Sequence, residues 1–113
     1  MATTTYYERA RKVSDKQIRK WGAKALLRRS SGDRECWAME YSMNANEKQA
    51  LKNFNQRIFL ISAVGLDIAP NFREDALITF AVDGTENPPL RQTAPVAPLA
   101  PGGYVIYWEI NVE

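Results

Sequence analysis

The chain has 113 residues, a formal net charge of +2 and 45% hydrophobic residues, which predicts one domain with one modest core. It contains no histidine and a single cysteine, Cys36, which excludes the usual general base, the commonest metal ligand, an internal disulfide and a cysteine-rich zinc site. No apolar run approaches the roughly 18 residues of a membrane span, and the first five residues lack the basic and apolar regions of a secretion signal, so we expect neither.

The first predicted element is an amphipathic helix over residues 6–21. Its start fits a capping box, Thr5-Tyr6-Tyr7-Glu8, and Gly22 follows where a left-handed C-terminal cap is needed. We expect an apolar stripe to pack on a sheet; it consists of Tyr7, Ala10, Val13 or Ser14, Ile18 and Trp21. The basic residues expected to point outward are Arg9, Lys12, Lys16, Arg19 and Lys20.

Charge is distributed unevenly along the chain. Residues 1–34 contain ten Lys/Arg and three Asp/Glu, a net charge of +7, so the remainder carries −5 of the total of +2. This division favours contact with a polyanion, or head-to-tail assembly between the basic end of one subunit and the acidic body of the next. The alternative is an ordinary solvated helix face.

A hairpin and then a polar segment follow the helix. Ala23–Arg29, a Ser30-Ser31-Gly32-Asp33 turn and the alternating Glu35–Ser42 predict two paired strands. Residues 43–55 lose this period and predict a long loop, or a short helix from about Asn46 to Asn53.

Further strands are expected in the second half. Arg57–Val64 is nearly continuous in apolar residues, as in a strand buried on both faces or lining a closed barrel. Ala76–Val82 ends at an Asp83-Gly84 turn, and Tyr104–Val112 alternates after a Pro-Gly-Gly turn. The segment before this last strand is its natural hairpin partner, and the prolines in it confine it to an edge or to a stretch leaving the sheet.

The whole pattern predicts a single domain over residues 1–113, mainly β with an N-terminal α-helix. Residues 23–112 should form a small antiparallel β-barrel or sandwich of five to six strands. We expect four residues of the strands to be buried: Phe59, Ile61, Ile106 and Trp108.

Catalytic machinery is missing from the sequence. It contains no nucleophile–base pair, no Gly-rich phosphate loop and no metal-ligand cluster, so we expect no enzyme and no cofactor. Arg28, Arg29 and Cys36 fit structural roles better than catalytic ones. The acids beside turns are interpreted as caps and turn formers; they are Asp67, Glu74, Asp75 and Asp83.

Several motifs, taken in order, resemble the small head–tail joining (head completion, or stopper) proteins of long-tailed phages. They are a Tyr-led helix ending in Lys20-Trp21-Gly22, then Leu27-Arg28-Arg29, the strand 57–63 with Gly65-Leu66 after it, and Pro98–Gly103 leading to Val105–Glu109. The similarity covers most of the chain. It departs from the family between Asn71 and Leu90, where Glu86-Asn87-Pro88-Pro89 stands in place of a compact strand pairing, so the register of that part is left open.

The resemblance implies a structural virion protein of the phage neck, assembled in the host cytoplasm. Such proteins form a ring, typically a hexamer, between the portal-adaptor ring above and the tail-side proteins below. They help to retain packaged DNA in the channel and provide the tail docking surface, with no membrane and no small-molecule substrate. In some members a long loop reaches the channel, and by position the candidates here are Asn44, Asn46, Lys48, Lys52, Asn53 and Phe54.

Aromatic residues add a candidate interface. Three Trp and five Tyr exceed what so small a barrel needs in its core, and aromatic residues are enriched where proteins meet. Together with the basic helix face they give the candidate partner contacts Tyr6, Tyr7, Arg9, Lys12, Lys16 and Trp108. The alternative is that the aromatic residues are core, which we expect of Trp21 more than of Trp108. An alternative function is a small-barrel nucleic-acid-binding module, in which basic and aromatic side chains bind the backbone and stack on bases.

Overall fold

A computed structural model describes residues 2–41, 57–66, 69–71 and 73–113. Those residues form one helix and seven strands, α1 Ala2–Trp21, β1 Ala23–Arg29, β2 Gly32–Glu40, β3 Arg57–Ser62, β4 Ala76–Ile78, β5 Leu90–Arg91, β6 Ala97–Leu99 and β7 Tyr107–Val112, with a 3-10 turn at Pro101–Gly103. The seven strands build one sheet in the order β5-β4-β1-β2-β3-β7-β6, and neighbouring strands are antiparallel throughout. The predicted fold class, mainly β with an N-terminal helix, is confirmed.

The sheet curls so far that strands from its two sides meet. The amide of Arg91 donates to the carbonyl of Glu113 at 3.1 Å, and the reverse bond from Glu113 measures 3.0 Å. Thr93 then donates to Asn111 at 2.9 Å, so β5 lies between β4 and the end of β7. Because these bonds satisfy strand edges that would otherwise be open, the sheet is barrel-like along this part of its length.

The core lies on the inner face of this curled sheet. Residues that face each other across neighbouring strands, such as Leu27 and Leu77 or Phe59 and Ile110, build it. The predicted core residues Phe59, Ile61 and Ile106 are buried, whereas Trp108 is half-buried and packs against the core cluster. Each fully buried aliphatic side chain stabilises the fold by about 1.5–3 kcal/mol, so this face holds the strands together.

The start of α1 differs from the prediction. The helix begins at Ala2 and not at residue 6, so Thr5 lies within it and the proposed capping box is wrong. Gly22 is also no left-handed cap, because its φ is not positive. Its amide donates to the Ile18 carbonyl at 2.8 Å, and a Cβ at this position would collide with the Ala38 carbonyl. Glycine therefore allows the helix end to lie directly against β2.

The first hairpin is confirmed, with a tighter turn than predicted. Arg29 pairs with Gly32, so only Ser30 and Ser31 lie between β1 and β2. The final hairpin is confirmed as well, because β6 pairs with β7 and lies at the edge of the sheet, as the prolines require.

Seven strands form where five or six were predicted. Between the pairs Gln92↔Val112 and Ala97↔Glu109 the earlier strand has two residues more than its partner, so a bulge around Pro95 separates β5 from β6. The predicted strand over residues 76–82 is also divided. Only its first three residues lie in β4, and the chain then continues into a second hairpin.

That second hairpin runs over residues 79–87 and settles the register left open between residues 71 and 90. Phe80 bridges to Glu86, and the Ala81 amide donates to Thr85 at 2.9 Å, with the predicted Asp83-Gly84 turn at the tip. The candidate channel loop, with Asn44, Asn46, Lys48, Lys52, Asn53 and Phe54, lies outside the described residues.

Candidate interaction surface of the helix

The first half of α1 is fixed to the segment just before β7 by aromatic and polar contacts. The rings of Tyr7 and Tyr104 stack with centroids 6.2 Å apart. The Arg11 guanidinium lies 4.0 Å from the centroid of Tyr104, and its Nε donates to the Val105 carbonyl at 2.7 Å. A cation over an aromatic face that is also hydrogen-bonded holds the helix in one orientation.

The second half of α1 is held to β3. The Ser62 hydroxyl donates to the Asp15 carboxylate at 2.6 Å, and Arg19 donates to the same oxygen at 2.8 Å. Ile18 is fully buried one turn further on. Of the predicted stripe, Tyr7 and Ile18 therefore face the sheet.

The opposite face of α1 is strongly basic. Arg9, Lys12 and Lys16 are all exposed, as predicted. Among the residues with described side chains, no acid forms an ion pair with any of the three. Folding therefore leaves their charge available to a partner.

A band of exposed apolar side chains runs beside this basic face. Tyr6 is 69% exposed, Val13 59% and Trp21 67%. Tyr6, Arg9, Ala10, Val13 and Ser14 line a shallow cleft of about 430 Å³, called the helix cleft below. The prediction that Trp21 packs on the sheet is wrong, and of the alternatives Val13 or Ser14 the first is exposed. Successive helix residues are rotated by about 100°, so the stripe that contains Ile18 turns Val13 and Trp21 to one side.

Trp21 and Trp108 have different surroundings. Trp21, expected in the core, lies outside it, where its indole N–H donates to Gln17 at 3.1 Å. Trp108, a candidate interface residue, packs against the core cluster and pairs with Ile61 of β3 and Pro98 of β6. The helix and β7 therefore do not combine into one continuous aromatic surface.

Hairpin 79–87 presents a second unusual surface. Val82 at its tip has a relative exposure of 110%, and Phe80 is exposed at 39%. The Asp83 carboxylate accepts hydrogen bonds from the Thr85 hydroxyl at 2.6 Å and from the Thr85 amide at 3.0 Å. These bonds lower the pKa of Asp83, so its charge persists well below neutral pH. The sequence indicated the turn and gave no sign of the exposed valine.

Adjacent arginines on β1 have different surroundings. Arg29 makes two bonds of 2.7 Å to Asp75, whose side chain is fully buried, and the hydrogen bond to Asp75 raises the pKa of Arg29. Arg28 is 40% exposed and pairs with Asp33 and Glu86 on the surface. The contact with Arg28 lowers the pKa of Asp33. Both arginines therefore form ion pairs with acids of the same chain.

The buried pair is extended by a small network. The Asp75 carboxylate accepts the Asn71 amide at 2.8 Å, and the side-chain amide of Gln92 donates to the carbonyls of Asn71 and Asp75 at 2.9 and 2.8 Å. Asp75 is therefore a turn former, as predicted, and also the counter-ion of Arg29, which the sequence did not indicate.

A basic and aromatic cluster lies on β2. The Arg19 guanidinium is 5.0 Å from the centroid of the Trp37 indole, and the Lys24 ammonium is 5.9 Å from it. The sequence placed positive charge in the helix and aromatic residues in the strands. Packing of α1 on the sheet brings the two together.

Few groups in the described part of the chain are suited to chemistry. Burial raises the pKa of the Cys36 thiol to about 12. No group of three or more His, Cys, Asp or Glu in residues 2–41, 57–66, 69–71 and 73–113 is placed to hold a metal ion. In the same ranges no helix is long and apolar enough to cross a membrane.

Comparison of the chain with protein-family models, curated proteins and solved structures finds no match. The functional proposal therefore rests on the residues and surfaces described above.

Proposed function

We propose that this chain is a structural subunit of the neck of a tailed phage. In this proposal several copies, six by the family resemblance, form a ring between the portal-adaptor ring and the tail. The ring helps to retain packaged DNA and offers the surface on which the tail docks. The protein is a virion component that acts by binding and not by catalysis.

The observation that carries the proposal is the outer face of α1. Three exposed basic residues, Arg9, Lys12 and Lys16, lie beside the exposed side chains of Tyr6, Val13 and Trp21. A chain that acted alone would gain no stability from exposing three large apolar groups on one helix. Such a mixture of apolar and basic side chains is typical of surfaces that bind other macromolecules.

The succession of motifs and the fold class support the same proposal. The Tyr-led helix, the Leu-Arg-Arg strand and the Pro-Gly-Gly hairpin occur in the family's order, and they form a helix packed on a barrel-like sheet. A rigid scaffold of this kind holds binding surfaces at fixed positions, which ring assembly requires. We assign residues 44–55 as the channel loop by position in the sequence alone.

The experiment is to remove the chain from phage production. We expect heads to fill with DNA and then to lose it, and free tails to accumulate, because the ring acts after packaging. Supplying the wild-type chain should restore joined particles. Normal numbers of infectious particles without the chain would exclude the proposal.

A second candidate function, a small-barrel nucleic-acid-binding module, is favoured by the Trp37 cluster. Arg19 and Lys24 beside an indole ring are the elements of a nucleic-acid contact. However, the two cations already lie over the ring, so a base must displace them before it can stack.

DNA binding by the isolated chain distinguishes the two candidates. Phosphate contacts release counterions, so a binding module loses affinity steeply as salt rises. We expect weak binding of labelled single-stranded DNA by the isolated subunit, because a ring concentrates positive charge only when several copies assemble. Tight, salt-sensitive binding, with particles that assemble normally after deletion of residues 44–55, would support the module.

A further inference from the structure

We propose that the tip of hairpin 79–87 of one copy docks into the helix cleft of the next copy. The occupant of the cleft is then a second molecule of this chain, and its Val82 and Asp83 make the contact. This inference deepens the proposed function and rests on it, because it names the contact that joins neighbouring subunits of the ring.

The hairpin tip has the features of an inserted element. Val82 is more exposed than any other large hydrophobic residue described, and Phe80 adds apolar surface at the base of the tip. Asp83 stays ionised because Thr85 donates two hydrogen bonds to it. An apolar side chain next to a fixed negative charge fits a partner with an apolar surface next to a positive charge.

The helix cleft has that complementary character. Tyr6, Ala10 and Val13 supply apolar walls, and exposed Arg9 lies on its rim. Lys12 and Lys16 continue the positive surface along the same side of α1. A Val82 side chain inserted between Tyr6 and Val13 would bring Asp83 next to Arg9, so apolar burial and ion pairing occur together.

The tip does not occupy the cleft of its own subunit, because the Val82 side chain is fully exposed. The base of the hairpin lies at the C-terminal end of α1, where Phe80 and Asn87 line a groove together with Trp21. Val13 and Tyr6 lie eight and fifteen residues earlier on the helix, which at 1.5 Å per residue is about 12 Å and about 22 Å along its axis. The Tyr7–Tyr104 stack fixes that end of the helix to the segment just before β7. The cleft of one copy is therefore open to the tip of another.

The contact joins two different surfaces, as a ring of more than two copies requires. Each copy offers one tip and one cleft. Such heterologous contacts continue from copy to copy, and they build a ring when the rotation between neighbours closes and an open filament when it does not. The excess of positive charge in residues 1–34 and of negative charge in the rest has the same polarity.

Cysteine cross-linking of the full-length chain tests the contact. One variant carries Val13→Cys, a second carries Val82→Cys and a third carries both. We expect oxidation to join the two single variants to each other, and the double variant to give a ladder of dimers, trimers and larger species. The wild type, whose Cys36 is buried, should remain monomeric on a denaturing gel.

The matched control pairs Val13→Cys with Leu99→Cys, which is exposed on β6 and lies outside the tip. Dimers of a single variant with itself, or mixed dimers as abundant in this control pair, would overturn the proposal. So would the absence of cross-links both in the purified chain at high concentration and in assembled particles.

Reversing the charges of Arg9 and Asp83 tests the proposed ion pair independently. Arg9→Glu alone and Asp83→Lys alone each place like charges across the contact, and we expect cross-linking to fall roughly tenfold in each. A mixture of the two charge variants restores it, because each tip then meets a cleft of opposite charge. Failure of the mixture to recover would overturn the ion pair.

The two proposals fail in different ways. If the ladder forms but phage production does not need the chain, the proposed neck function is wrong and the contact stands. If particles need the chain but no ladder forms in them, the contact is wrong and the neck function stands.

Discussion

The interior of the barrel and the outer face of α1 use arginine in opposite ways. Arg29 is 14% exposed and makes two hydrogen bonds to the fully buried Asp75. Arg9 is exposed, and among the described side chains no acid pairs with it. The first arginine is part of the fold and the second is not.

The same difference divides the positive charge of residues 1–34 into two parts. Part of it is consumed in folding, by bonds from Arg11 to Val105, from Arg19 to Asp15 and from Arg28 and Arg29 to acids. Another part remains on one face of the helix, at Arg9, Lys12 and Lys16. Only the second part is available to bind another molecule, and the net charge alone does not separate the two.

The largest expected effect on stability comes from breaking the buried pair. Arg29→Met leaves the Asp75 charge buried without its partner, so the free energy of unfolding should fall by about 3–5 kcal/mol. Arg9→Met makes the same chemical change on the surface and should alter it by no more than ~0.5 kcal/mol. Chemical denaturation of both variants measures the two values. Equal losses would contradict the division between interior and surface.

Sequence patterns predicted the elements that depend on local signals. The β1–β2 hairpin, the Asp83-Gly84 turn and the final hairpin follow from turn residues and alternation, and all three form. Burial of Phe59 and Ile61 followed from a continuous apolar run. These elements can be predicted because the conformation of a turn or hairpin is determined largely by residues close in sequence.

The sequence did not predict features that depend on distant neighbours. Asp75 looked like a turn residue, and only the pairing of β4 with β1 shows that it meets Arg29. The exposure of Trp21 depends on how α1 lies on the sheet. The predicted apolar stripe covers a wide arc of the helix, so it does not determine which of its residues contact the sheet. The tip at Val82 depends on a second hairpin where one continuous strand had been expected.

A smaller loss of stability should follow from Gly22→Ala. This substitution displaces the whole helix, and with it the outer face of α1, without changing any charge. The new methyl group would collide with the Ala38 carbonyl and lie 2.6 Å from the Ile18 carbonyl. Because both are backbone atoms, α1 must shift, and overpacking of this kind costs about 1–3 kcal/mol. Thermal unfolding measures the loss.

Gly32→Ala is the control for this substitution. Gly32 has open space around its Cβ position but a φ of 130°, so a loss there reflects backbone strain alone. If the shifted helix matters for assembly, Gly22→Ala should also weaken ring formation, whereas Gly32→Ala should not. Equal ring formation by the two variants would show that the position of α1 set by Gly22 does not affect assembly.

At high pH the interior of the barrel should also oppose ionisation of the buried Cys36 thiol. Burial and the nearby charge of Asp75 raise the pKa of the Cys36 thiol from 9.0 to about 12. The folded state therefore holds this proton more tightly than the unfolded chain. Stability is fully present below pH 9 and falls as pH rises towards 12, by up to about 1.4 kcal/mol per unit.

Cys36→Ala removes this titration, so it is the control. The difference in unfolding free energy between wild type and variant should be constant up to pH 9 and then shrink by about 1 kcal/mol by pH 10. Denaturant titrations at several pH values give the difference directly. Parallel curves over that range would show that the thiol is not protected.

The smallest effect on stability, and the largest on assembly, is expected for the outer face of α1. Replacing Arg9, Lys12 and Lys16 by Glu touches no described ion pair or hydrogen bond, so the change in unfolding free energy should stay within about 0.5 kcal/mol per site. Ring formation or head joining should fall sharply, because the charge that would meet an acidic neighbour is reversed. Salt should weaken the wild-type contact as well, since exposed charges are screened within about 10 Å at 0.1 M.

A matched comparison separates position from net charge. The pair Lys12→Glu and Lys16→Glu changes the charge as much as Arg73→Glu with Arg91→Glu, two exposed arginines away from α1. If the outer face of the helix binds a partner, the first pair should impair joining and the second should not, at equal folded stability. If both pairs impair it equally, overall charge governs assembly. The distinction between the charge used by the fold and the charge left on the helix would then have no functional meaning.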